Sequence, residues 1–124
     1  MTSREEKDFE FDFERLSVYQ KALEFIDKIF EVVNKLPKEY RYSIGENLLR
    51  AGLSIANNLA EGSDKKSHKE RAKFYATSSD STREGISVFN VLRMRNLIDE
   101  NLYSRLRADG REITSMIHGL INSL

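Results

Sequence analysis

The sequence contains no cysteine. That excludes a disulfide framework, a thiolate metal site and cysteine nucleophilic catalysis, and it fits a reducing compartment, so a cytoplasmic location is expected. One proline and six glycines in 124 residues leave little material for β-hairpin turns or disordered linkers. Net charge is missing too: 20 Lys plus Arg stand against 20 Asp plus Glu. The total therefore gives no bulk attraction to nucleic acid, a membrane or an acidic substrate. No apolar run approaches the ~18 residues of a membrane span. The charged first 14 residues also lack the apolar segment of a signal peptide.

What is present is a helix-forming composition, 40% hydrophobic and 32% charged. A chain of this length buries roughly two-thirds of its unfolded surface, enough for one core. Two heptad-spaced apolar series interleave from about Leu16 to Lys35, before Pro37 ends the helix. One series is Leu16, Tyr19, Leu23, Ile26, Phe30 and Val33; the other is Val18, Ala22, Phe25, Ile29, Val32 and Leu36. A stripe this wide can touch more than one neighbour. A second helix is predicted over Lys38 to Glu61, with Ile44, Leu48, Leu49, Gly52, Ile55, Ala56 and Leu59 on one side. Gly62 reads as its left-handed C-terminal cap. Gly45 and Gly52 each cost about 1 kcal/mol inside a helix, so close approach by another helix is expected there.

Ser67 and Glu70 read as a capping box opening a third helix that extends to about Asn96. Its apolar side holds Phe74, Tyr75, Ile86, Val88, Phe89 and Leu92, with a waist of small residues at Ser78, Ser81, Thr82 and Gly85. Asp99 is the predicted N-cap of a fourth helix, on which Tyr103, Leu106, Gly110, Ile113, Ile117, Leu120 and Leu124 keep heptad register. The fold class expected is all-α: an antiparallel up-down-up-down four-helix bundle over residues 15–124. Residues 1–14 form a separate acidic arm. Its Phe9-Glu10-Phe11-Asp12-Phe13 stretch alternates at period 2, so an extended segment is expected, laying three rings on apolar surface of its own bundle, a neighbouring subunit or a partner.

Catalytic chemistry finds little material. A di-iron site in a bundle needs Glu-x-x-His pairs, and neither His68 nor His118 has Glu three residues before it. There is no nucleophile elbow, phosphate-binding loop or dinucleotide fingerprint. Hydroxyls such as Ser78, Ser79, Ser81 and Thr82 usually bond the preceding helical turn. No enzymatic activity, metal or cofactor is expected.

Charge is unevenly distributed. Residues 1–14 hold Arg4 and Lys7 against Glu5, Glu6, Asp8, Glu10, Asp12 and Glu14, a local charge of −4 that leaves +4 on the rest. Two basic clusters stand out: Lys65, Lys66, Lys69, Arg71 and Lys73, and then Arg93, Arg95, Arg105, Arg107 and Arg111. They read either as solvated helix faces or as contacts to nucleic-acid phosphates, whose binding releases counterions.

The run Leu49-Arg50-Ala51-Gly52-Leu53-Ser54-Ile55-Ala56-Asn57-Asn58-Leu59-Ala60-Glu61-Gly62 is the most specific part of the chain. Together with Val18-Tyr19-Gln20-Lys21-Ala22, Leu36-Pro37, Phe74-Tyr75 and Ser81-Thr82-Arg83-Glu84, it resembles the bacterial four-helix-bundle family encoded in intervening sequences of large-subunit ribosomal RNA genes. The accessory variability proteins of diversity-generating retroelements look similar as well. Asp80 departs from the Gly usual before the helix 3 serine. The resemblance implies a homopentameric ring, with RNA or DNA as partner, and marks Arg50, Ser54, Asn57, Glu61, Gly62, Ser81 and Glu84 as family-motif positions. On a helical wheel Arg50, Ser54, Asn57 and Glu61 share one side, roughly opposite the apolar centre of helix 2. Three roles stay open for that stripe: a solvated face with Arg50–Ser54–Glu61 hydrogen bonds, a subunit contact, or a ligand site. Two functions remain in view, a nucleic-acid-binding oligomer and a protein-interaction scaffold.

Overall fold

A computed structural model describes residues 9–124. The charged positions Arg4 to Asp8 lie outside the described residues. Four long helices follow in order: α1 (Ser17–Lys35), α2 (Glu46–Ser63), α3 (His68–Met94) and α4 (Glu100–Asn122). Each packs on the next, and α4 closes back on α1. Short connections make consecutive helices antiparallel, so the fold is the expected all-α four-helix bundle. None of the described helices is long and apolar enough to cross a membrane.

The interior is built from the predicted stripes. Val18, Ala22, Phe25, Ile29, Val32 and Leu36 of one α1 series are all buried. They meet Leu48, Ile55 and Leu59 from α2, Phe89 and Leu92 from α3, and Leu106, Ile113 and Ile117 from α4. The Phe25 and Phe89 rings meet edge to face with centroids 6.0 Å apart. The other α1 series divides. Ile26 and Val33 are buried, whereas Leu23 and Phe30 remain 47% and 46% exposed.

The helix ends follow local chemistry. Ser67 Oγ accepts from the Glu70 N–H at 3.1 Å, and Asp99 Oδ1 from the Leu102 N–H at 2.7 Å, as N-caps do. At the end of α3, Asn96 takes the left-handed conformation with φ 57°. The Leu97 N–H then donates to Leu92 O and the Asn96 N–H to Arg93 O, which closes a Schellman motif.

Three expectations change. The segment before α2 is not continuous α-helix: a turn at Lys38–Tyr40 leads into π-helix at Arg41–Gly45. There Arg41 reaches back to donate to Leu36 O and Asn34 O, both at 3.0 Å, capping the end of α1. Gly62 is not a left-handed cap, because α2 continues through Ser63 and no described glycine has positive φ. Its missing side chain serves close approach instead. A Cβ at Gly62 would lie 2.7 Å from Tyr75 Cε1 and 3.1 Å from Phe74 Cβ. Gly52 behaves as expected, since a Cβ there would lie 2.9 Å from Ile29 Cδ1.

The arm is the third change. Of its described residues, Phe9 to Phe11 lack helical structure, and Asp12–Arg15 forms a 3-10 turn. The Glu14 carboxylate accepts from the Phe11 N–H at 2.8 Å and pulls the chain into that turn. Phe13 then packs edge-on against Tyr19 of α1, and Phe11 stacks on Phe13, at 5.0 and 5.7 Å between centroids. The described arm thus folds back onto its own bundle, while Phe9 and Phe11 stay exposed.

A paired substitution tests the reading of Gly62. Tyr75 is 3% exposed and its hydroxyl lies 3.2 Å from Ser63 Oγ, so the ring has little room to yield. Gly62→Ala is expected to destabilise the protein by about 1–3 kcal/mol through overpacking. Gly119→Ala, with nothing within 4 Å, should stabilise it by up to about 1 kcal/mol through helix propensity. Urea denaturation of both variants checks the two signs.

Candidate functional site

The two basic clusters lie near opposite ends of α3, but neither is a uniform patch. In the first, Lys65 is held by Glu61 at 3.6 Å and sits over the Phe74 ring at 5.1 Å. Arg71 is turned inward, its Nε donating to Lys65 O at 2.6 Å, and so braces the α2–α3 loop. Lys66, Lys69 and Lys73 are left exposed to solvent.

The second cluster is split by helix geometry. Arg93 reaches Glu100 at 4.0 Å and Asn96 at 3.3 Å, which ties it to the α3–α4 turn. Arg95 is the C-cap of α3 and exposed. Arg105 lies about 160° around α4 from Arg107 at ~100° per residue, so these two face different sides. Arg107 and Arg111 stand one turn apart and share a face. Opposite them, across the α3–α4 seam, is Arg83, which clustering along the chain does not reveal.

These three arginines line a groove of about 450 Å³ between α3 and α4. Gly110 sets its depth: a Cβ there would lie 2.6 Å from Ile86 Cδ1, so α4 sits down onto Ile86. Ser87 and Asn90 complete the α3 wall, and Thr114 extends the α4 wall. Asn90 organises one end. Its Oδ1 accepts from the Tyr103 hydroxyl at 2.7 Å and from the Arg107 guanidinium at 3.0 Å, while Arg107 also lies over the Tyr103 ring. No ion pair within 4.0 Å joins Arg83, Arg107 or Arg111 to a carboxylate among the described residues.

The acids of α4 are occupied elsewhere. Asp109 receives Lys21 at 3.3 Å and Lys28 at 2.5 Å from α1, and Glu112 also receives Lys21 at 3.3 Å. The hydrogen bond to Asp109 lifts the Lys21 ammonium above its ordinary 10.5, against desolvation by burial, with Glu112 adding to the rise. Two turns of α4 therefore carry positive charge on the α3 side and ion-paired negative charge on the α1 side.

The motif stripe on α2 is also divided. Arg50, Asn57 and Glu61 are exposed, Glu61 being engaged by Lys65. Ser54 does not join them. It is half-buried and turned toward α3, its Oγ 2.7 Å from Ser81 Oγ and 3.0 Å from Asn58 Nδ2. The expected Arg50–Ser54–Glu61 bonding gives way to a seam of hydroxyls between α2 and α3. Ser78 belongs to that seam as well, donating to Ile55 O at 2.8 Å, whereas Thr82 bonds its own preceding turn, at Ser78 O. Ser81 and Gly62 are buried at the same seam, and Glu84 is exposed. No described group of three or more His, Asp or Glu is arranged to hold a metal ion.

Residues 14–119 match the 23S rRNA-intervening sequence protein family. The chain belongs to that family. Among solved structures it is similar to a protein of unknown function from the S23 ribosomal protein family of Bacteroides thetaiotaomicron VPI-5482. The identity is 23%, the TM-score is 0.78, and the similarity covers 85% of this chain and 95% of that one. Among curated proteins none matches the sequence. In this 23S rRNA-intervening sequence family member, Arg50 to Gly62 falls inside the matched range, and so do all ten residues of the basic clusters.

The ion-paired face of α4 has a pH signature. A lysine whose folded-state pKa is raised stabilises the fold fully below its unfolded pKa, and that contribution is lost as pH climbs through the folded value. Asp109→Asn should cost about 1–2 kcal/mol near pH 7, discounted for partial exposure. The gap to the parent protein should close as pH rises beyond 10.5. Urea unfolding at neutral and strongly alkaline pH measures that gap; one that widens with pH contradicts the assignment.

Proposed function

We propose that this protein works without enzymatic chemistry, as a homo-oligomer, a pentameric ring, that binds RNA or DNA through phosphate contacts. The observation that carries the nucleic-acid reading is the segregation of charge. Of the ten basic residues in the two clusters, only Lys65 and Arg93 reach a carboxylate among the described residues. The acids Asp109 and Glu112 are drawn off to α1. A chain of zero formal charge thereby presents surfaces that are locally basic, and a ring would repeat each of them with the same orientation.

Support for self-association comes from the outer face of α1 and α2. Leu23 and Phe30 flank Ile26, whose Cγ1 lies 3.4 Å from the position of a Gly52 Cβ, and Leu53 beside Gly52 is 48% exposed. Arg50 and Asn57 border Leu53 in the same surface depression. An apolar centre with a polar rim is the composition of a subunit contact.

A scaffold with a protein partner is the second reading, favoured by the exposed rings of Phe9 and Phe11. Deleting residues 1–11, which leaves Phe13 on Tyr19, tests it. Unchanged oligomeric mass and melting temperature leave those rings for a partner, whereas a fall in either makes them structural.

Two measurements test the main reading. Light scattering is expected to give a fivefold multiple of the 14.4 kDa chain mass, reduced in Phe30→Glu and in Arg50→Ala/Asn57→Ala. Wild-type mass in all variants would contradict the interface. Binding to a structured RNA and to duplex DNA should weaken by at least tenfold between about 50 and 200 mM salt. Absent or salt-indifferent binding contradicts the nucleic-acid role.

A further inference from the structure

We infer that the α3–α4 groove is the phosphate track, taking the sugar–phosphate backbone of one nucleic-acid strand, while the two loop clusters only add to the surrounding field. This inference rests on the nucleic-acid reading above and gives it a place.

The walls are matched. Arg83, Ser87 and Asn90 repeat at i, i+4 and i+7 on α3; Arg107, Arg111 and Thr114 repeat at the same spacing on α4. The helices run in opposite directions, so Arg83 stands at one end of the groove and Arg107 at the other. At ~1.5 Å per residue, seven residues span about 10 Å. Successive phosphates of one strand lie roughly twice as far apart along the backbone as the ~3.4 Å axial rise of a duplex. Three of them span about 13 Å, which three arginine side chains set along the groove can reach. Three guanidiniums thus meet three phosphodiesters, with hydroxyl and amide groups between them for the remaining oxygens.

Arg107 enters binding already positioned. Held by Asn90 and the Tyr103 ring, it surrenders less rotamer freedom than a loose lysine does. Guanidinium forks suit phosphate oxygens better than ammonium point charges. Lys66, Lys69 and Lys73 have neither a brace nor a groove. The groove also lacks a free aromatic face, because Arg107 covers the Tyr103 ring. Bases therefore have no stacking platform, and recognition is of the backbone, independent of sequence.

The test is fluorescence anisotropy with a labelled oligouridylate of about 10 nucleotides, titrated with the intact protein across a salt series. With three contacts, log K should fall against log salt with a slope near −2, at about −0.7 per phosphate on single strands. Arg83→Gln/Arg111→Gln is expected to weaken binding at least tenfold at low salt and to flatten the slope to about −0.7. Arg83→Lys/Arg111→Lys, which keeps both charges, should retain the steeper slope. Lys66→Gln/Lys69→Gln/Lys73→Gln should change affinity by less than about threefold. Circular dichroism and melting temperature report that each variant is folded; the substituted side chains are exposed on helix faces or the loop. If the parent binds and the lysine triple variant, not the arginine pair, loses affinity, the groove is wrong and the nucleic-acid role stands. If the parent does not bind, both are wrong.

Discussion

One carboxylate sets the charge pattern of this bundle. Asp109 is held between Lys21 and Lys28, and its side chain is only 13% exposed. The buried stripe of Leu106, Gly110, Ile113 and Ile117 fixes the rotation of α4 about its own axis, and that rotation turns Asp109 toward the two lysines. Arg107 and Arg111 are then carried to the other side, toward α3. Exposed ion pairs contribute little, but a partly buried carboxylate shared by two ammonium groups is more than a surface decoration. Removing it would free two cations on α1, so one residue governs the field on that side of the bundle.

Packing at the opposite edge follows a different rule. The α2–α3 seam contains hydroxyls and a glycine where a typical bundle places branched aliphatics. Ser54, Ser78 and Ser81 bond across it or between one another, and Gly62 admits the Tyr75 ring. Small residues bring the two helices close and leave no buried side-chain polar atom unpartnered among the described residues. The family motif is thus partly a helix-contact device. Its exposed remainder is Arg50, Asn57, Glu61 and Glu84, and the proposed subunit contact draws on Arg50 and Asn57.

Much of this was legible in the sequence. Heptad spacing gave the buried α1 series, and the caps at Ser67 and Asp99 marked two helix starts, because both signals are local. Gly62 reads as a C-cap because a glycine after an apolar run suits one, while the true constraint, Tyr75, becomes a neighbour only once α3 folds back. A wheel placed Ser54 with the outward stripe because it reports angle and not which helix lies alongside; Ser54 stands at the edge nearest α3. Arg83 does not stand out in the sequence, because it sits 24 residues before Arg107 and joins no run of charge. Antiparallel pairing about Gly110 brings the two together, and nothing in linear charge density encodes that.

Paired arginines on facing helices, and not the denser lysine run, are the proposed receptors of a nucleic-acid backbone. The most direct measurement is the NMR response of the arginine Nε–H resonances as a short single-stranded RNA is added. Shifts concentrated at Arg83, Arg107 and Arg111, with Arg93 and Arg105 little changed, are the predicted result. Shifts confined to amides around Lys66 to Lys73, or none at all, would contradict it.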